Sequence, residues 1–261
     1  MSETPAEYTT KIIDSGDPYF TKRIIVGTAS TGLKRDEWVG ARYGQLIPCN
    51  WSNVTFQPFL NSFMPLRYQV DDAQNIIVKE CIDGNYEWCL LYEHDVIPPP
   101  DCFVRLNQYM IEKKIPVVSG LYYTRSRPSE PLVYRGRGNS YYGEWNLGDK
   151  VWADGIPTGL LLIHSSILKT MWDESPEYQA GRYGITRRVF ETPRKLWFDP
   201  QIQIANMLSG TSDLFWCDRV MKDNIFEKAG WKDFCPDMKY PFLVDTNIFC
   251  RHIDPDGAQY P

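Results

Sequence analysis

The run Trp88-Cys-Leu-Leu-Tyr92 is apolar throughout, passes straight into Glu93-His-Asp95, and after Val96-Ile97 meets three prolines, Pro98 to Pro100. An apolar run of this length bounded by turn signals reads as a strand buried on both faces, and such strands occupy the middle of α/β sheets. Proline ends the strand because it has no N–H for the ladder. Two carboxylates therefore stand at the C-terminal edge of a central strand. In open α/β sheets that edge borders the ligand crevice, and carboxylates there can hold a divalent cation against phosphate oxygens.

The flanking sequence repeats the same unit. Residues 1–22 are polar and aperiodic and read as a loose arm, while residues 23–261 read as one domain. Arg23 to Thr28 is a first buried strand, and Asp36 precedes a helix through Tyr43. Leu66 to Val70 reads as a second strand. Asp71 or Asp72 then caps a helix whose inward positions are Ala73, Ile76, Ile77 and Cys81. After the prolines, Asp101 caps a helix with Phe103, Leu106, Met110 and Ile111 inward, followed by a strand from Pro116 to Leu121. This β-α-β-α-β series implies a mostly parallel, Rossmann-like central sheet flanked by helices.

The alternation then fails. Residues 122–158 are rich in Tyr, Arg, Gly and Trp and suggest an irregular insertion over the sheet edge. Gly159 to Ile163 returns as a buried strand, with Ser165 or Ser166 capping the next helix. Residues 173–208 are irregular, and long irregular stretches in compact domains tend to be binding loops. Thr211 or Ser212 caps a helix with Leu214, Cys217 and Met221 on one side, and a last strand from Phe242 to Ile248 leads to His252.

Composition narrows the function. A formal net charge of -5 gives no global attraction for polyanions, so nucleic-acid binding would need a local basic strip. Aromatic residues make up 14% of the chain, which suits flat, partly polar ligands such as sugars or bases as well as a packed core. The seven cysteines contain no C-x-x-C pair, so a disulfide framework and a structural zinc site are not indicated and a reducing, cytoplasmic setting fits. No apolar run approaches the ~20 residues of a membrane span.

Magnesium and manganese favour oxygen ligands and keep positions open for phosphate. In continued strand geometry Glu93 and Asp95 share a face and His94 points the other way. Asp95 is the better direct ligand, with Glu93 acting through water or ribose. His252, after the last strand, is a candidate to complete the site, with a structural histidine as the competing reading. The Tyr122-Tyr-Thr-Arg-Ser-Arg127 stretch and Arg135-Gly-Arg137 mix aromatics and cations, a composition suited to stacking on sugars or bases and contacting phosphate, with Tyr123, Arg125, Arg135 and Arg137 as candidate contacts; an arginine-rich surface loop explains the same residues. Trp152 and Asp154, near the Thr158-Gly159 turn, are candidates to touch a bound sugar, with packing as the competing role.

From about residue 23 to residue 254 the chain resembles the metal-dependent nucleotide-sugar glycosyltransferases of the glycosyltransferase A fold, especially compact viral and bacterial members. Four pieces carry the likeness in order: Val26-Gly-Thr28, the segment from Leu91 to Pro100, the strand from Pro157 to Ile163, and Ser212-Asp-Leu-Phe-Trp-Cys217 before a terminal strand and His252.

The resemblance implies a sugar transferred from a UDP- or GDP-linked donor to an acceptor hydroxyl on a glycan, a small molecule or a hydroxylated DNA base. Mn2+ or Mg2+ would be held by Glu93, Asp95 and His252. Thr28, Ala29, Ser30 and Asp72 would line the base and ribose, although turn and helix-cap roles account for these four equally well. Gly159 is counted with the donor-binding positions. Asp213 corresponds to an acid facing the acceptor, where it can take the hydroxyl proton; a first-turn acid favoured by the helix dipole is its alternative. Two features depart from the family pattern: Ser212-Asp213 replaces a pair of acids, and Glu93 replaces the usual first Asp. A nucleotidyltransferase making nucleotide sugars, or a binding module without turnover, are the other readings.

Overall fold

A computed structural model describes residues 22–47, 62–136, 141–201 and 203–261. Apart from Lys22, the expected N-terminal arm lies outside the described residues, as do Cys49 and Arg137.

The described residues up to His164 form strands β1 Lys22–Gly27, β2 Tyr86–Tyr92, β3 Val96–Ile97, β4 Val117–Leu121, β5 Lys150–Ala153 and β6 Leu160–His164. There follow β7 Glu177–Ala180, β8 Gly184–Arg187, β9 Arg194–Asp199, β10 Ile204–Ser209, β11 Phe242–Phe249, β12 Arg251–Ile253 and β13 Gln259–Tyr260. The helices are α1 Asp36–Tyr43, α2 Val70–Asp83, α3 Cys102–Glu112, α4 Ser165–Glu174, α5 Ser212–Lys222 and the short α6 Ile225–Lys228.

The main sheet has the order β1-β2-β6-β4-β11-β5. β1 runs parallel to β2 and β11 parallel to β4, while β6 is antiparallel to both of its neighbours and β5 is antiparallel to β11. Four strands thus point one way and two the other: a mixed, mostly co-directional sheet, less parallel than the β-α-β pattern implies. β6 is buried along its whole length, and a strand buried on both faces has the same apolar run in either direction.

Period-two alternation divides the core between the faces. Trp88, Leu90 and Tyr92 pack with Trp38 of α1 and with Phe103, Leu106 and Met110 of α3. Cys89 and Leu91 join Ile77 and Val78 of α2, Leu168 of α4 and Trp216 of α5 on the other face. Helices on both faces make this a Rossmann-like α/β architecture.

Several local expectations change. Leu66 to Val70 is not a strand: Leu66 makes only an isolated bridge to Ser30, Arg67 has a positive φ of 64°, and Val70 opens α2. Ile111 is 47% exposed because it falls one position off the face formed by Phe103, Leu106 and Met110. Helix α4 is capped by His164, whose side chain accepts from the Ser166 amide. The stretch expected to be irregular after residue 173 holds two β-ribbons, β7–β8 and β9–β10. Leu196, Phe198 and Met207 of the second ribbon are largely exposed. The six described cysteines are free, and among the described residues no helix is long and apolar enough to cross a membrane.

Candidate active site

Beyond β2 the chain turns at Glu93 and re-enters extended structure at β3. The Glu93 amide donates to the Gly159 carbonyl (2.8 Å), and the Trp38 indole Nε1 donates to the Glu93 carbonyl (2.8 Å). Gly159 is also bonded through its own amide to the Tyr122 hydroxyl. A Cβ on residue 159 would lie 2.4 Å from that hydroxyl oxygen, so only glycine permits the approach. Both main-chain polar groups of Gly159 are therefore engaged in placing Glu93 and Tyr122.

The second half of the site arrives from the C-terminal segment. β12 pairs antiparallel with β3, with His252 opposite Val96, and the Ile253 amide donates to the Asp95 carbonyl (2.8 Å). This pairing brings Asp95 and His252 together from distant parts of the sequence. His252 Nδ1 donates to the Tyr123 carbonyl, since a carbonyl can only accept. In the neutral ring Nε2 then carries the free lone pair, the form in which imidazole binds metals. Burial pushes the His252 pKa below its ordinary value, against the opposing pull of Asp95. The Tyr122 ring meets the imidazole edge-on at 4.7 Å between centroids.

Three carboxylates share this region. Burial first, then Asp95 and Asp213, push the Glu93 carboxyl up to about 8. Asp213, in the first turn of α5, is raised above its ordinary value by burial, although the Leu214 amide donates to it. Asp95 is bridged by Arg125, which also reaches Asp254 at 3.2 Å. The other carboxylate oxygen of Asp95, Oδ1, is buried with no hydrogen-bond partner among the described residues.

Among the described residues no three His, Cys, Asp or Glu side chains form a ready metal cage. The donor set nevertheless suits a hard divalent cation that takes its remaining ligands from phosphate: an orphaned carboxylate oxygen, an imidazole nitrogen on the adjoining strand, and a second acid nearby. Arg125 would have to release Asp95 for the cation to bind.

A cavity of about 440 Å³ opens beside the acids, lined on one side by Ala29, Ser30 and Thr31 and on the other by Glu93, His94 and Asp95. Arg67 and Tyr68 also line it, so the segment expected to be a strand is a wall of the cavity. His94 holds the β1 loop in place through the Ala29 carbonyl at 3.0 Å. Thr28, directly after β1, is buried, and the Ser30 hydroxyl accepts from the Gly32 amide at 3.1 Å. A further cavity of about 530 Å³ beyond Asp95 and Arg125 includes Lys34 and Arg35.

Other expected positions lie elsewhere. Asp72 sits in the first turn of α2 and accepts from the Tyr178 hydroxyl at 2.7 Å. Trp152 faces Phe234, with 6.5 Å between ring centroids, and its carbonyl accepts from Arg135 Nε. Asp154 lines a separate cavity of about 280 Å³ beside α5. Tyr122, Trp38 and Asp254 carry site contacts that sequence reasoning missed; the first directly follows β4, so the strand-end rule applied to β2 would have marked it.

No protein-family model matches the chain, and no curated protein matches it. Among solved structures, A197 from STIV is similar with a TM-score of 0.50 and 14% identity over 91% of this chain and 93% of that one. A chain described as a glucose-1-phosphate thymidylyltransferase from Bacillus anthracis, in complex with a sucrose, aligns with a TM-score of 0.30 and 11% identity over 60% of this chain and 76% of that one, too low to carry an argument. The first likeness concerns the fold alone.

Proposed function

We propose that the chain is a metal-dependent glycosyltransferase of the glycosyltransferase A type, moving a sugar from a nucleotide-diphosphate donor to an acceptor hydroxyl. The observation that carries this reading is the cavity bounded by the β1 loop and by Glu93 and Asp95, with His252 on the adjoining strand and Asp213 close enough to raise Glu93. A nucleoside lying against Ala29 and Ser30 would bring its diphosphate towards Asp95 and Arg125.

Asp95 and His252 are the residues that would hold Mn2+ or Mg2+, with Glu93 behind them. Held there, a cation would supply positive charge to a departing diphosphate. In the transfer, the bond between the anomeric carbon and the diphosphate oxygen breaks, and its electron pair leaves with the nucleoside diphosphate. The acceptor oxygen bonds to the same carbon, and its proton passes to Asp213. Burial raises the proton affinity of Asp213 and makes it a better base than an exposed carboxylate. Arg125 offers a second positive charge to the phosphates once it leaves Asp95. Direct attack inverts the anomeric centre. Free cysteines throughout the described residues suit a reducing compartment such as the cytoplasm.

Thermal unfolding with Mn2+ and UDP or GDP tests the donor site. At a hundredfold excess over Kd, ligand linkage gives about 2.7 kcal/mol of stabilisation. A raised melting temperature in the parent chain and none in Asp95→Ala supports the reading; no rise with either nucleotide opposes it.

A further inference from the structure

The β9–β10 ribbon stands apart from the main sheet as a two-stranded unit of its own. It is closed at its base by the Gly210 amide, which donates to the Pro193 carbonyl at 2.9 Å, and Thr211 then leads into α5. Three consecutive residues of β9 are open to solvent: Leu196 is 73% exposed, Trp197 44% and Phe198 57%. Met207, opposite Leu196 on β10, is 59% exposed. Successive strand residues face opposite ways, so Leu196 and Phe198 lie on one face of the ribbon and Trp197 on the other.

A lone two-stranded ribbon is at best marginally stable in water. Further pairing would extend it, and β9 has an edge to offer, since among the described residues it pairs with β10 alone. An unpaired edge templates another strand. Pro193 and Pro200 bracket β9 and limit such pairing to its 6 residues, Arg194-Lys-Leu-Trp-Phe-Asp199.

That segment is complementary to itself. With two copies antiparallel about a two-fold axis through Trp197, Lys195 of each falls opposite Asp199 of the other, Leu196 opposite Phe198, and Trp197 opposite its own counterpart. Residues directly opposite share a face, with Cβ atoms about 4.5–5.5 Å apart. Lys195 and Asp199 of one strand are about 13 Å apart, at about 3.3 Å per residue, so the close charge pairs are the ones between copies. Moving the axis to Leu196 sets Lys195 against Trp197 and leaves Asp199 against Pro193, while parallel in-register pairing sets lysine against lysine. Of these registers, the one centred on Trp197 matches both charges and all three apolar residues.

A bilayer fits less well. Asp199, Gln201 and Gln203 stand at the ribbon tip and would have to enter the lipid first, and a formal net charge of -5 gives no attraction to anionic headgroups.

We infer that β9 is a dimer edge whose partner is β9 of a second copy of this chain, giving a four-stranded antiparallel sheet of order β10-β9-β9-β10 across a two-fold axis. Leu196, Phe198 and Met207 of both copies then make one continuous apolar face. The two Trp197 residues meet on the other face, between the paired lysines and aspartates. This pairing stands on the ribbon alone and holds whether or not the chain is a glycosyltransferase.

Sedimentation velocity of the full chain in low salt tests it. The parent chain is expected at twice its 30.4 kDa. Lys195→Glu should raise the dimer dissociation constant about tenfold, because the two-fold axis makes each like-charge contact occur twice. Adding Asp199→Lys to it should restore the parent affinity, which also excludes misfolding as the cause of the loss. Trp197→Cys should form a cross-linked dimer under mild oxidation, at a separation that a disulfide spans, and Met207→Cys, set back from the axis on β10, should not. A parent chain that stays monomeric at every concentration tested overturns the inference, as does a dimer that Lys195→Glu leaves intact or one cross-linked through Met207→Cys and not through Trp197→Cys. Co-sedimentation of a monomer with phosphatidylserine vesicles, lost in Trp197→Ser, would overturn it in favour of lipid.

Discussion

The Ile253 amide donates to the Asp95 carbonyl at 2.8 Å, and this bond stitches the C-terminal strand to the acid-bearing turn after β2. It sets His252 beside Asp95, so main-chain pairing brings the two candidate metal ligands together, while the Tyr123 carbonyl and Arg125 hold their side chains. Substituting either side chain should therefore remove metal binding without undoing the pairing. His252→Ala should weaken Mn2+ binding by at least tenfold, as followed by calorimetry with a nucleoside diphosphate present, while the circular dichroism spectrum stays that of the parent chain.

Glu93 gives a pH dependence with a definite sign. Its carboxyl is raised from 4.5 to about 8 in the folded chain, first by burial and then by Asp95 and Asp213. The folded state binds this proton more tightly than the unfolded state, so the associated stability is present below the ordinary carboxylate pKa and is lost as pH rises towards 8. In metal-free buffer with chelator, Glu93→Gln should melt higher than the parent chain at pH 8 and close to it at pH 4. Equal melting temperatures at pH 8 would remove the basis for a strained acid cluster.

Gly159 should tolerate no side chain. A Cβ there would lie 2.4 Å from the Tyr122 hydroxyl and 2.9 Å from a Val96 methyl. Overpacking of this kind costs about 1–3 kcal/mol. Gly159→Ala should lower the denaturation midpoint accordingly, and because the Glu93 amide hangs on the Gly159 carbonyl, it should also weaken nucleotide-induced stabilisation. Tyr122→Phe removes the hydroxyl and should relieve part of the loss in the double variant.

Arg125 separates stability from binding. Its pairs with Asp95 and Asp254 are partly exposed, and such pairs contribute about 0–1 kcal/mol. Arg125→Ala should leave the denaturation midpoint nearly unchanged while weakening nucleoside diphosphate binding about tenfold in the presence of Mn2+, as measured by calorimetry. Unaltered affinity would mean that the arginine does not meet the phosphates.

These relationships were unequally visible in the sequence. The strand from Trp88 to Tyr92 and the acids that follow it are local: an apolar run, two carboxylates and prolines occupy one short segment, and the helices flanking it show their apolar spacing plainly. The direction of β6 was not visible, because Leu160 to Ile163 is apolar on both faces whichever way it runs. The β3–β12 pairing was hidden for another reason. It involves only Val96, Ile97, Arg251 and His252, too few residues for any periodicity, so His252 could be singled out by its place after the last strand but its contact with Tyr123 could not. The ribbons β7–β8 and β9–β10 escaped because Glu177 to Ala180 and Arg194 to Phe198 lack a buried face over most of their length, and without one there is no alternation to detect.

The central claim is that Asp95 and His252 serve a cation on a nucleotide-sugar donor, and donor hydrolysis tests it most directly. Uridine and guanosine diphosphate sugars are incubated with the chain and Mn2+ without acceptor, and free sugar is measured over time. Slow release from one donor, abolished by chelator and reduced at least a hundredfold in Asp95→Ala and His252→Ala, is the expected result. No release from any donor, or release that persists without metal and in both variants, would contradict it.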